Sequence, residues 1–298
     1  MWFKQIQFFQ LSNSIPFNTA ALETQLEQFA FAPCSPNSPN TMGWVAPQDE
    51  ANAPIVYSSN GCMLICLQIE EKILPTSVIN QKIKEEASKI EVKRGQKISK
   101  KEKQTMKGNI YYSLLPKAFG KITRLYAYID TKNNWLILNN TSPKKVELFT
   151  KFFKKSIQST NLVSPELKRI SKIITGWLQN SNHPKSLTID DACILQDPKK
   201  QGRIIRCQQQ DLSAPSIQSL IKDGCEVNQI LLTWQDRISF ALKNDFTLRS
   251  LKYQDSLIEM AKESSAENEQ DRFDADFIIM ADVINRLMIM LLKLFNKN

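Results

Sequence analysis

The chain has 298 residues, 42% of them apolar and 23% charged, with 39 Lys and Arg against 30 Asp and Glu and a net charge of +9. That length and apolar share suffice for a real core and two or three subdomains and exclude a disordered chain. Glycine is scarce, at eight residues, and there is no G-x-G-x-x-G, no G-x-x-x-x-G-K-[ST] and no internal repeat, which argues against a fold built on a glycine-rich phosphate loop.

Residues 2–11 read as a strand, interrupted by Lys4, Gln5, Gln7 and Gln10 in a way that does not suit a secretory leader. Asn18 is placed to cap a helix carrying Leu22, Leu26 and Phe29. A Pro/Ser/Asn loop over 33–40 ends in MGWVAP. Segments 55–57 and 62–70 are expected to pair antiparallel across Ser58, Ser59, Asn60 and Gly61. Cys62 and Cys66 fall on one strand face at period two and are read as core residues. The six cysteines form no C-x-x-C, and the lone histidine, His183, sits in the polar stretch NSNHP, so no zinc set is recognisable and no cofactor or metal is expected. Free cysteines of this kind suit a reducing compartment.

The most one-sided charge comes next. Residues 82–107 carry ten Lys or Arg against four Glu. After Pro75, with Thr76 as N-cap, Ile79, Ile83, Ala87 and Ile90 recur at helical spacing, while Lys82, Lys89 and Lys93 share an adjacent face. Arg94-Gly95 ends this helix. Ser99 and Glu102 form an S-x-x-E capping box for a second, carrying Met106, Ile110 and Leu114 up to Pro116. The pair is expected to be a protruding helical hairpin with a basic tip. Taken alone it could be a solvated surface, its lysines balanced by Glu85, Glu86 and Glu91.

The continuation changes that balance. Residues 82–172 hold 22 basic and 7 acidic residues, net +15, whereas the remainder holds 17 and 23, net −6. A uniform excess for solubility has no reason to cluster, so the segregation points to a surface aimed at a polyanion, nucleic acid first and a membrane surface second. Within this window 121–130 and 135–139 flank a turn at Thr131 to Asn134. Ser142-Pro143 opens a helix with Val146, Phe149 and Phe153 inward and Lys144, Lys145, Lys151, Lys154 and Lys155 outward. A further helix carries Leu167, Ile170, Ile174 and Leu178.

From about Leu187 the charge changes sign and strands dominate, at 192–195, 203–207, 229–234, 237–242 and 247–251, with a short helix over 213–223 ended by Gly224. The tail from Asp255 is helical with an acidic, Ser-rich break at 263–270. Its run DFIIMADVINRLMIMLLKLF is broken by Asp282, Arg286 and Lys293, so no membrane span is expected. The whole reads as α+β with antiparallel sheets and flanking helices, in four regions: 1–75 N-terminal α+β, 76–119 basic hairpin, 120–185 basic strand/helix, and 186–298 C-terminal α+β with a terminal helix.

Catalytic chemistry has few candidates. A two-metal nuclease needs converging carboxylates, and Asp190-Asp191 and the Asp271, Asp274, Asp276 set are the options. Asp190 and Asp191 point apart in an extended chain, and Asp274 and Asp276 lie where acids favour a helix start. No G-x-S-x-G accompanies His183. Binding, without catalysis, is the expectation. Tyr111, Tyr112, Phe119, Tyr126 and Tyr128 lie near lysines, but Tyr126 and Tyr128 alternate along the expected strand as half-buried residues do, so phosphate-directed binding to duplex is the simpler account.

The pieces MWFKQIQFFQL, FAPC, MGWVAP, EEKILPTSVIN, LLPKAF, LLTWQDRISFAL and DRFDADFIIM, in this order from Trp2 to Met280, resemble the RdgC family of recombination-associated proteins. The resemblance implies a bacterial cytoplasmic or nucleoid protein, a ring-shaped homodimer that threads duplex DNA with little sequence preference, and restraint of RecA-promoted recombination. It implies that Phe119, in LLPKAF, belongs to the dimer interface that closes the ring. Where relatives carry a Lys-Lys-Gln-Asp-Leu type sequence, this chain reads Cys207-Gln208-Gln209-Gln210-Asp211-Leu212, so Gln209 and Gln210 can hydrogen-bond phosphate but bring no charge. The expected DNA contacts are Lys82, Lys89, Lys93, Arg94, Lys97, Lys100, Lys101, Lys103, Lys117 and Lys121, with Gln209 and Gln210. Two rivals remain: a metal-dependent nuclease using Asp271, Asp274 and Asp276, and a regulator that binds only protein.

Overall fold

The computed structural model describes residues 1–12, 18–50, 52–157, 160–167, 169–199, 202–264 and 269–296. Its first half runs β1 (Gln7–Leu11), α1 (Thr19–Glu27), β2 (Asn40–Val45), β3 (Val56–Ser59), β4 (Cys62–Ile73), α2 (Thr76–Arg94), α3 (Lys100–Leu114) and a 3-10 turn (Leu115–Lys117). Then come β5 (Phe119–Asp130), β6 (Trp135–Leu138), α4 (Pro143–Ser156), β7 (Leu162–Val163), α5 (Ile170–Asn180), β8 (Leu187–Gln196) and β9 (Ile204–Cys207). The chain closes with α6 (Pro215–Lys222), β10 (Glu226–Trp234), β11 (Ile238–Lys243), β12 (Leu248–Tyr253), α7 (Asp255–Ser264) and α8 (Glu269–Phe295). This is the expected α+β class with antiparallel sheets. The described residues form two compact units, a larger one (Met1–Thr19, Tyr57–Leu64, Tyr126–Asn298) and a smaller one (Ala20–Val56, Ile65–Leu125), and the chain crosses from one to the other in α1, β3, β4 and β5.

In the larger unit, one sheet runs β12-β11-β10-β8-β9, and β6, β1 and β7 form the other with the end of β5 and the start of β4, in the order β4-β5-β6-β1-β7; the rest of β4 and β5 belongs to the smaller unit. An antiparallel bridge joins Ile6 to Leu248, with N–H to O distances of 2.7 and 3.1 Å. The β5–β6 turn closes as the Thr131 to Asn134 sequence requires: Asp130 Oδ1 accepts from the amides of Lys132 and Asn133, at 2.9 and 3.0 Å, the self-satisfying turn that aspartate favours. Register shifts within β10 and β11 mark bulges, which bend strands. The apolar tail becomes a core helix: α8 buries Phe277, Met280, Ile284, Leu287, Met288, Leu291 and Phe295 among side chains from both sheets. Each such burial removes enough apolar surface to stabilise by about 1.5–3 kcal/mol, so the tail belongs in the core. No helix among the described residues is long and apolar enough to cross a membrane. Part of the expected break at 263–270 lies outside the described residues.

Several local expectations shift. Only Gln7–Leu11 of the first segment forms a strand, Phe29 and Leu167 lie beyond their expected helices, and the two-residue β7 carried too little pattern to read. In the smaller unit, residues read as the end of a loop are strand β2, pairing antiparallel with β4 from Asn40↔Glu71 to Val45↔Cys66. The opposite side of β2 is met by a short parallel bridge, Ala30↔Trp44, with Phe31 N–H donating to Trp44 O at 2.9 Å and Trp44 N–H to Phe29 O at 3.0 Å. Gly43 makes this approach possible, because a Cβ there would stand 2.4 Å from Phe31 Cα. The obstacle is backbone and cannot swing aside. Gly43→Ala is therefore expected to destabilise the smaller unit by about 3 kcal/mol or more, seen as a lowered melting transition; an unchanged transition contradicts the close packing.

Candidate nucleic-acid interface

The expected cations lie on α2 and α3, on the connection between them, in the 3-10 turn and at the start of β5, all within the smaller unit. Helix α2 starts one residue from the expected cap: Pro75 holds the N-cap position, its carbonyl accepting from Val78 and Ile79 at 3.0 and 3.3 Å, and Thr76 is already helical. The apolar stripe faces inward, with Ile79 and Ala87 buried and Ile83 and Ile90 half-buried. The helix ends where the sequence says, at Gly95, whose φ of 69° is the left-handed conformation glycine adopts freely, its N–H returning to Glu91 O at 2.8 Å.

The connection to α3 is held by two glutamates. Glu91 Oε1 accepts from the Ile98 amide at 3.0 Å. Glu102 completes the capping box: its Oε2 accepts from Ser99 N–H at 2.9 Å, while Ser99 Oγ accepts from Glu102 N–H at 3.2 Å. The other oxygen, Oε1, takes Arg94 Nη1 at 2.8 Å, tying the end of α2 to the start of α3. The Ser99 amide first, then the Ser99 hydroxyl and the Arg94 guanidinium, holds the Glu102 carboxyl below its ordinary value of 4.5. Ile110 and Leu115 anchor the far end of α3 in the core.

Around this frame, all ten expected cations are exposed. Lys82 is paired with Glu85 at 3.1 Å, and Arg94 with Glu102. Lys89, Lys93, Lys97, Lys100, Lys101, Lys103, Lys117 and Lys121 have no ion-pair partner among the described residues. Three of them, Lys100, Lys101 and Lys103, crowd the start of α3, the positive end of its dipole, where cations are disfavoured and an anion is welcome. Phe119, at the start of β5 between Lys117 and Lys121, is 86% exposed.

The two glutamines belong to the larger unit. Gln209 and Gln210 come after β9, both exposed. Gln209 has a φ of 52° and Gln210 N–H donates to Asp191 O at 3.1 Å. Gln210 lines an open groove of about 1010 Å³ over one sheet face, with His183, Asp190, Asp191, Arg206 and Lys252. Asp190 Oδ2 accepts from Thr233 at 2.8 Å. Two of the three candidate nuclease acids on α8 are engaged: Asp274 accepts from the Tyr57 hydroxyl, and Asp276 from the Met1 ammonium at 2.6 Å, while Asp271 lies half-buried in the first turn of the helix. Burial first, and Asp274 next, pushes the Tyr57 hydroxyl well above its usual range. Among the described residues no three His, Cys, Asp or Glu side chains are grouped to hold a metal ion.

Comparison with known proteins decides the family. A family model described as "Putative exonuclease, RdgC" matches residues 1–298. A protein of Aeromonas hydrophila named "Recombination-associated protein RdgC" is 34% identical over 281 residues, 94% of this chain and 93% of its own. Proteins of the same name from Yersinia enterocolitica and Psychromonas ingrahamii are each 32% identical, covering 97% and 99% of this chain and 95% and 98% of theirs. The chain belongs to the RdgC family.

The capping network gives the basic helix pair of this RdgC-family chain a pH dependence of definite sign. A carboxyl whose folded value is depressed contributes above the ordinary carboxylate range and loses that contribution as pH falls through its folded value. Amide protection at Ser99, whose N–H donates to the Glu102 carboxylate, is thus expected to be full near neutral pH and to be lost once pH falls far enough below the ordinary carboxyl value to protonate Glu102. Hydrogen exchange reads this directly, and protection independent of pH contradicts the assigned role of Glu102.

Proposed function

We propose that this chain is a non-enzymatic, sequence-independent binder of double-stranded DNA that acts in homologous recombination. Eight exposed cations without ion-pair partners among the described residues, held on a helix pair and the residues adjoining it, carry this reading. Lysines are point charges suited to phosphate and bring no base-reading geometry, which fits backbone-directed contact. The relatives' name supplies recombination.

The finer reading takes two further parts from the family resemblance. The protein works as a ring-shaped homodimer around the duplex, with Phe119 in the subunit contact, and it restrains RecA by occupying DNA. An exposed phenylalanine between two lysines is poor use of an apolar ring unless something covers it, and Ile122, 60% exposed, stands close by in sequence. Gln209 and Gln210 contribute hydrogen bonds only.

A second reading is a nuclease, favoured by the word exonuclease in the family description. Against it stand the partners already held by Asp274 and Asp276, which give those carboxylates structural work.

One series of measurements separates these readings. The wild type, Lys100→Gln/Lys101→Gln/Lys103→Gln and Phe119→Ser are titrated against random linear and circular duplexes, with and without magnesium. The expected results are binding without strand shortening by the wild type, weakening by ten-fold or more in the lysine variant at about 0.1 M salt, and a smaller solution mass with a greater loss on circular DNA for Phe119→Ser. Magnesium-dependent products would establish the nuclease. A wild type that shifts no duplex would leave the protein-binding regulator, and an unchanged mass for Phe119→Ser would dispose of the ring contact.

A further inference from the structure

The positive window that the sequence presents as one block is divided by the fold. Its 82–125 part, net +9, belongs to the smaller unit and its 126–172 part, net +6, to the larger. The rest of the larger unit does not share that excess: residues 186–298 hold 14 basic and 17 acidic residues. The larger unit therefore carries a concentrated positive feature of its own.

Helix α4 is its centre. Phe149 and Phe153 are fully buried and stacked at 6.0 Å, which fixes the rotation of the helix. That rotation leaves Lys144, Lys151, Lys154 and Lys155 exposed. Positions 144, 151 and 155, seven and eleven residues apart, form one line along the helix, with Lys154 beside it. Lys151 is tied to Glu147 at 2.6 Å, whereas Lys144 and Lys154 have no ion-pair partner among the described residues. Glu147 is the one acidic residue on the helix. From Lys144 to Lys155 the helix rises about 16 Å, a length of duplex axis that carries roughly ten phosphates counted over both strands.

We propose that this lysine face of α4 is a second phosphate-binding surface for duplex DNA, separate from the cations of α2 and α3. The inference rests on the DNA-binding reading above and adds a contact made by the other unit. An anionic membrane is the competing polyanion. A membrane-surface helix must have an apolar face to insert, and on α4 that face is already spent on the core at Phe149 and Phe153.

Lysine acetylation footprinting of the full chain, with and without a random-sequence duplex, tests the proposal. Lys144, Lys154 and Lys155 are expected to be protected by DNA alongside the α2 and α3 lysines. Lys144→Gln/Lys154→Gln/Lys155→Gln, which keeps the Glu147–Lys151 pair and changes only exposed residues, is expected to melt like the wild type and to bind duplex ten-fold or more weakly at about 0.1 M salt. Unaltered acetylation of α4 with α2 and α3 protected overturns the second surface and leaves the first standing. No binding by the wild type overturns the DNA reading as a whole. Protection of α4 by phosphatidylserine vesicles but not by duplex assigns the surface to a membrane and overturns the proposal.

Discussion

Crowding of like charge is the constraint on which the remaining features depend. Residues 82–107 place ten cations on two short helices and their connection, with four glutamates to offset them. Two of those glutamates are committed to backbone: Glu91 closes the connection and Glu102 caps α3. The remaining balance is repulsive, and three lysines at the positive end of the α3 dipole add to it. Such an arrangement persists because its anchors are largely independent of the lysines: Ile79, Ala87, Ile110 and Leu115 are buried, and Gly95 and the Ser99–Glu102 box cap the facing ends of the two helices. What the free molecule tolerates as repulsion, a polyanion converts into attraction, since each neutralised phosphate also releases a condensed counterion.

The division into two units gives that electrostatic argument its geometry. Both units carry a helix whose apolar stripe is locked into a core and whose outer face is lysine, so neither basic face is free to turn away. Folding of the larger unit depends little on charge, since α8 and both sheets share one apolar core. Two of the acids that sequence alone would offer for catalysis are drawn into that same scaffold, Asp274 answering Tyr57 and Asp276 answering the amino terminus.

Local chemistry was legible in the sequence wherever a residue had a single conformational purpose. Gly95 and the Ser99–Glu102 box fixed the facing ends of α2 and α3 because a left-handed turn and an orphan N–H each admit few solutions. The Thr131 to Asn134 turn and the Gly224 stop were legible for the same reason. Strand β2 was not legible, since its glycine and flanking Asn and Pro read as loop until Phe31 is seen passing within reach of Gly43. Nor was the partition of the positive window: charge counts run along the chain, whereas the chain crosses between the units in α1, β3, β4 and β5. For the same reason nothing in the sequence signals that Lys89 and Gln209 belong to different units.

Binding driven by phosphate neutralisation is the claim on which the functional reading stands. Affinity of the wild type for a random duplex, measured as salt is raised, tests it most directly. With about six to eight phosphates engaged, the logarithm of the binding constant is expected to fall against the logarithm of salt with a slope of roughly −5 to −7. A slope near zero would mean that these lysines meet no phosphate, and the account would be wrong at its root.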